Sequence, residues 1–176
     1  YGKGAPTVLV EATTTEDVAA IVKLCYENSI PVIPRGAGTG LTGAAVALHG
    51  GVMIDMSKMN KILEYDKENF VVRVEAGVLL NDLAEDAQKQ GLLYPPDPGE
   101  KFATLGGNVS TNAGGMRAVK YGCTRDYVRA MTVVLPTGEI VKLGATVSKT
   151  STGYSLLNLM IGSEGTLGII TELTLK

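Results

Sequence analysis

Along the chain, apolar positions follow a helical rhythm twice and a strand rhythm for most of the remainder. "TVLVEA" (7–12) is a β-branched run and predicts a strand. In "TTTEDVAAIVKLCYEN" (13–28), Val18, Ile21, Val22 and Cys25 recur at i, i+3, i+4 and i+7, one face of a helix. Thr14, three residues before Asp17, supplies its capping signal. "IPVIP" and "GGVMIDM" predict two further short strands, and "KILEYDKENFVVRVEAG" predicts a pair turning at Asp66–Asn69. "LLNDLAEDAQKQG" predicts a second helix, with Leu80, Leu83, Ala84 and Ala87 on one face and Gly91 as its stop. A long loop follows, then "YVRAMTVVLPTGEIVKL", a hairpin turning at Pro136–Gly138, and a closing strand in "GIITELTL". A β-α-β start followed by hairpin-linked strands predicts an α+β fold rather than a doubly wound parallel sheet.

Composition changes this picture in one respect. Glycine is 22 of 176 residues, well above the ordinary ~7%, and half of the glycines fall in three dense blocks. These are "GAGTGLTG" (36–43), "GGNVSTNAGG" (106–115) and "GSEGTLG" (162–168). Any one glycine commonly serves a turn or cap, but dense blocks let backbone approach a ligand and turn N–H groups toward an anion. Their neighbours are neutral hydrogen-bonding residues (Thr39, Thr42, Asn108, Ser110, Thr111, Asn112, Thr166), with Arg35 as one fixed cation. There is no C-x-x-C, H-E-x-x-H or G-K-[ST], so zinc sites and P-loop NTPases are disfavoured and no metal site is expected. The single histidine, His49, reads as a solvated turn residue. The pattern suits a large phosphorylated ligand that carries its own reactivity.

The remaining bounds are mild. A formal charge of -2, with both signs dispersed, gives no basic surface for nucleic acid. No apolar run reaches the ~18 residues of a membrane span. Cys25 and Cys123 read as reduced thiols of a cytoplasmic protein, peripheral to a membrane at most within a larger complex. The opening "YGKGAPTV" has no leader character and no initiator methionine, the expectation being a fragment of a longer chain. "NVS" (108–110) matches a glycosylation sequon by chance.

Gly38, Gly40 and Gly43 satisfy G-x-G-x-x-G, the dinucleotide fingerprint. That fingerprint needs a full helix after the turn, and here only "AAVALH" precedes Gly50–Gly51 and a new strand. The Rossmann reading therefore fails.

"PRGAGTGLTGAAV", followed in order by "GGVMIDMSKMNKILEYD", "VRVEAGV", "PPDPGE", "TLGGNVSTNAGG" and "GSEGTLGIIT", resembles the FAD-binding domain of the vanillyl-alcohol oxidase / p-cresol methylhydroxylase flavoproteins. The resemblance covers almost the whole chain. It is nearest the branch of glycolate oxidase D-subunits and FAD-linked D-lactate and D-2-hydroxyglutarate dehydrogenases.

This resemblance implies one PCMH-type domain over 1–176, its two α+β lobes meeting near residues 57 and 58 and gripping an extended FAD. Arg35, Gly36, Ala37, Gly38, Thr39, Gly40, Thr42 and Gly43 would wrap the pyrophosphate. Pro96, Asp97, Thr104, Gly106, Gly107 and Asn108 would lie along the pyrophosphate and isoalloxazine side. Thr111, Asn112, Gly114 and Gly115 would continue that wall, with Tyr121 and Gly122 beside it. Glu164, Gly165, Gly168, Ile169 and Ile170 would hold the adenosine end; a solvated loop carboxylate is the less favoured reading of Glu164, and the isoleucines could equally be strand core. The segment "RGAGTG" lacks the histidine of covalent members, implying non-covalent FAD. The implied activity is hydride transfer from the α-carbon of a small 2-hydroxy acid to flavin N5. Catalytic residues are expected on a C-terminal cap domain outside this chain, and electron-transfer subunits are implied as partners. A non-catalytic nucleotide-binding domain, an ether-lipid synthase and a phenol oxidase are the alternatives.

Overall fold

The computed structural model describes residues 3–151 and 153–176. The chain opens as β1 (Val8–Glu11), α1 (Thr15–Glu27) and β2 (Val32–Arg35), followed by β3 (Val52–Asp55). These strands form a three-stranded sheet in the order β1-β3-β2, parallel throughout, with Val8 and Val32 both in register with Val52. α1 begins at the expected cap: the Thr14 hydroxyl accepts from the Asp17 amide, and the Asp17 carboxylate accepts from the Thr14 amide. Val18, Val22 and Cys25 are its buried positions.

The second half builds a five-stranded antiparallel sheet from β4 (Ile62–Asp66), β5 (Val71–Glu75), β6 (Val128–Val134), β7 (Ile140–Gly144) and β8 (Ile169–Leu175), ordered β4-β5-β8-β6-β7. β8, last in sequence, is central, pairing Val74 and Met131 on either side of Leu173. α2 (Leu80–Lys89) packs Leu80 and Leu83 against Val72, Val74 and Leu173, and Gly91 ends it with φ +76°. The α+β expectation holds.

The two sheets share a seam. Val18 and Val22 of α1 and Ile54 of β3 pack with Val134 and Ile169 of the larger sheet. Within it the Thr15 hydroxyl donates to Thr171 Oγ1 at 2.9 Å, and Thr171, wholly buried, donates to the Thr132 carbonyl at 3.4 Å. Thr15 and Thr171 thus both have partners in this seam, which removes the cost of an orphaned polar group there.

The long loop differs from its sequence reading. It contains α3 (Leu105–Ser110), α4 (Ala118–Tyr121) and a 3-10 turn at Thr124–Tyr127, and a further short helix, α5 (Leu156–Met160), follows β7. Glycines at 106 and 107 argue against helix by propensity, but Thr104 caps α3 by accepting from the Gly107 amide. A Cβ at Gly106 would stand 2.7 Å from Ala76 Cβ, so close approach to the sheet requires glycine there. Asn108 is buried in this helix, which closes the sequon to glycosylation.

Both cysteines are free thiols, Cys25 buried and Cys123 partly so. Among the described residues no helix is long and apolar enough to cross a membrane. His49 is exposed in a turn.

Loss of the α1 cap gives a measurable expectation. Thr14→Ala lowers stability by about 1 kcal/mol, read by chemical denaturation. Hydrogen bonds from the Thr13 hydroxyl, then the Thr13 amide and the Thr14 cap, hold the Asp17 carboxyl below its ordinary range. A depressed carboxylate stabilises the fold above its unfolded-state value and loses that contribution as pH falls through the folded one. The wild type therefore loses stability toward acid more steeply than Asp17→Asn does.

Candidate functional site

The three glycine blocks converge on one groove. It lies beyond the carboxyl ends of β2 and β3, where open parallel sheets place ligands, and is closed by the segments before α3 and at the start of β8. The loop 36–45 forms one wall. A Cβ at Gly36 would run into Thr104 Oγ1, so this glycine brings the first and second blocks together. The second and third blocks are stitched by backbone, with the Gly162 amide donating to the Val109 carbonyl at 3.0 Å and the Glu164 amide to the Ser110 carbonyl at 2.8 Å. The Thr42 hydroxyl donates to Glu164 Oε2 at 3.2 Å, joining the first block to the third. Glu164 reaches this contact with φ +54°, beside Gly165 at +78°.

Of the residues expected to bind, Arg35, Gly36, Ala37, Gly38, Thr39, Gly40 and Thr42 line the groove from the first block. Thr104, Gly106, Gly107, Asn108 and Thr111 line it from the second, and Glu164, Gly165, Gly168, Ile169 and Ile170 from the third. The structure does not bring the others into it. Gly43 lies just outside, turning the chain with φ +83° so that the Val46 amide can donate to its carbonyl. Asn112 accepts from the Arg125 amide at 3.0 Å, and Gly114 packs near the Cys123 sulfur. Gly115 abuts the Asp97 carbonyl next to Pro96, and Arg117 pairs with Asp97 at 3.4 Å. Gly122 makes room for the Asp126 carboxylate, and the Tyr121 carbonyl accepts from the Tyr127 hydroxyl at 2.6 Å. Asn112, Gly114, Gly115, Tyr121 and Gly122 make these contacts within the segment beyond α3.

Sequence reasoning missed Pro34, Ala44, Ala45, Met56, Ala76 and Ala103, and left Ser110 out of the binding set, yet all line the groove. The available signal was small size. Alanines at 44, 45, 76 and 103 leave the space open, and Met56 directly follows the end of β3.

The groove is built to receive an anion without an excess of positive charge. Its charged side chains are Arg35 and Glu164, and Arg35 is already paired with Asp55 at 3.6 Å. Among the described residues, the amides of Ala37 through Thr42 donate to no protein acceptor. Consecutive unpaired amides in a groove wall are the raw material of an anion-binding concavity. A Cβ at Gly40 would meet nothing within 4 Å, so the space over that residue is open. The cavity volume of the groove is about 140 Å³. Amides for a pyrophosphate, small apolar walls and an open trough all fit FAD.

The fold and this trough define a flavin-nucleotide-binding module, and comparison gives its family. The sequence pattern of the family described as "FAD binding domain" matches residues 6–144, and the chain belongs to that family. It is 84% identical over its full length to a D-lactate dehydrogenase of Anaerostipes hadrus, and 42% identical over 172 residues to the glycolate oxidase subunit GlcD of Bacillus subtilis. It spans 37% of the length of each. Among solved structures, an alkyldihydroxyacetonephosphate synthase superposes with a TM-score of 0.85 at 32% identity, covering 99% of this chain and 31% of that one.

Proposed function

We propose that this chain is the FAD-holding part of a flavin-dependent dehydrogenase acting on a small 2-hydroxy acid, of the D-lactate or glycolate type. The run of unpartnered amides from Ala37 to Thr42, opposite Thr104–Asn108 and Glu164–Gly165, carries the reading. The D-lactate dehydrogenase of Anaerostipes hadrus, at 84% identity, favours this chemistry over that of the ether-lipid synthase, at 32%. Bound FAD would supply a two-electron acceptor for hydride leaving the substrate α-carbon.

The chain's own residues bind and orient. Amides 37–42 would hold the pyrophosphate, and the first turn of β8, with Glu164 and Gly165, would hold one arm of the cofactor. Thr104, Gly106, Gly107, Asn108 and Thr111 would flank the other. The exposed His49 lies outside the groove lining, so the flavin would be held non-covalently. The protein would operate as two lobes, near 1–57 and 58–176, with substrate, base and electron-acceptor contacts made by further polypeptide or partner subunits. The free thiols suit a cytoplasmic setting.

Purification with added FAD, followed by gel filtration, tests this. The 176-residue chain is expected to retain a flavin absorption band and to show no flavin bleaching with D-lactate. A folded sample that never retains flavin would overturn the proposal.

A further inference from the structure

Among the described residues Arg35 is the one cation lining the groove, and the simplest assignment for it is a direct contact to the cofactor's phosphates. The geometry points to a different role: we infer that Arg35, clamped by Asp55, is a positioning residue that supports the Gly38 turn and thereby aims the amides of 37–42. The inference rests on the FAD reading above and says how the cradle is held in shape.

Four observations converge on it. The guanidinium lies against Gly38: a Cβ there would stand 3.1 Å from Arg35 Nε, 3.6 Å from Nη2 and 3.7 Å from Cζ. Nε and Nη2 are the nearer atoms and Cζ the farthest, so the N–H edge of the guanidinium faces that residue. Gly38 holds φ +72°, so the turn at this point is one that only glycine adopts without cost. On the other side, Arg35 Nη1 faces Asp55 Oδ2 at 3.6 Å, and that carboxylate is only 13% exposed. Asp55 is itself fixed, its Oδ1 accepting from the Ser57 amide at 2.8 Å, while the Met56 amide donates to the Arg35 carbonyl at 2.9 Å. The ends of β2 and β3 are thus joined by a main-chain hydrogen bond and an ion pair, with the guanidinium between Asp55 and Gly38. A planar, forked cation suits this task and a compact ammonium does not. With its charge matched by a carboxylate, Arg35 adds little net potential for an incoming anion.

The test compares Arg35→Lys, Arg35→Met and Asp55→Asn, reading FAD dissociation constants by flavin fluorescence at several salt concentrations, with the melting temperature of each apoprotein. If Arg35 positions the loop, Asp55→Asn weakens FAD binding about tenfold, and Arg35→Lys fails to restore what Arg35→Met loses. The double variant Arg35→Met/Asp55→Asn then loses no more than Arg35→Met alone, as expected for partners in one device. The salt dependence of binding is the same in Arg35→Met and wild type, because no cofactor ion pair has been removed. If Arg35 bound phosphate directly, Asp55→Asn would leave affinity unchanged or tighten it, and lysine would come within threefold of wild type. Either result overturns the inference. The variants alter both sides of the pair, so misfolding of one leaves the others decisive. Gly40→Val serves as the separate control: if it retains FAD normally, the placement of the cofactor is wrong, whatever Arg35 does.

Discussion

Gly40→Val is expected to abolish flavin retention while leaving the protein folded. No protein atom lies within 4 Å of a Cβ built at Gly40, and its backbone is not left-handed. The valine Cβ therefore meets no protein atom beyond its chain neighbours, and the effect on stability should stay within about 0.5 kcal/mol, or about 2 °C in melting temperature. The side chain instead occupies the trough over the exposed amides of Ala37–Thr42 and holds a phosphate away from them. Loss of two or more charge-assisted hydrogen bonds weakens FAD binding by ~100-fold or more. Equilibrium dialysis with FAD beside thermal melting separates the two effects. Gly38→Val gives the contrast, since φ +72° and Arg35 Nε at 3.1 Å make it lose both stability and flavin. Equal loss of stability in the two variants would show that the loop is a structural turn rather than a cradle.

Gly77→Ala is expected to be among the most damaging single methyls in the chain. The Gly77 amide donates to the Met59 carbonyl at 2.8 Å, fixing the connection between β3 and β4 against the end of β5. An added Cβ would press into the Met56 carbonyl and stand 2.7 Å from the Met59 carbonyl. Both obstacles are backbone, so no side-chain rotation relieves them. The cost should reach about 3 kcal/mol, at the upper end for overpacking, and lower the melting temperature by about 6–12 °C. Gly91→Ala is the control. It has φ +76° but nothing within 4 Å, so only backbone strain of about 1 kcal/mol opposes it. A Gly77→Ala protein as stable as Gly91→Ala would mean that the β3–β4 connection yields easily.

Much of this was legible in residue order, and particular positions show why the rest was not. The stripe Val18–Val22–Cys25 and the pair Thr14–Asp17 are local, and both appear in the structure as read. β8 is local in pattern but not in place, because nothing in "IITELTL" says that it enters between β5 and β6. α3 was hidden because Gly106 and Gly107 lower helix propensity, while the contact that demands them, Ala76, lies thirty positions upstream. The glycine blocks announced a ligand cradle. Their stitching through Gly162, Glu164 and Thr42 depends on tertiary geometry, as does the departure of Gly114, Gly115 and Gly122 to a neighbouring segment. Arg35 showed its charge in the sequence, but its partner Asp55 lies across a strand pair and could not be matched from spacing.

The central position of β8 also has a consequence for synthesis on the ribosome. Until residues 169–175 leave the exit tunnel, β5 and β6 each present an unpaired edge, and the Ile169–Ile170 side of the trough does not exist. A nascent chain stalled before that point exposes two sticky strand borders. Release of this one strand closes both borders and completes the flavin trough in a single event, so the cofactor can be captured only by a chain whose larger sheet is finished.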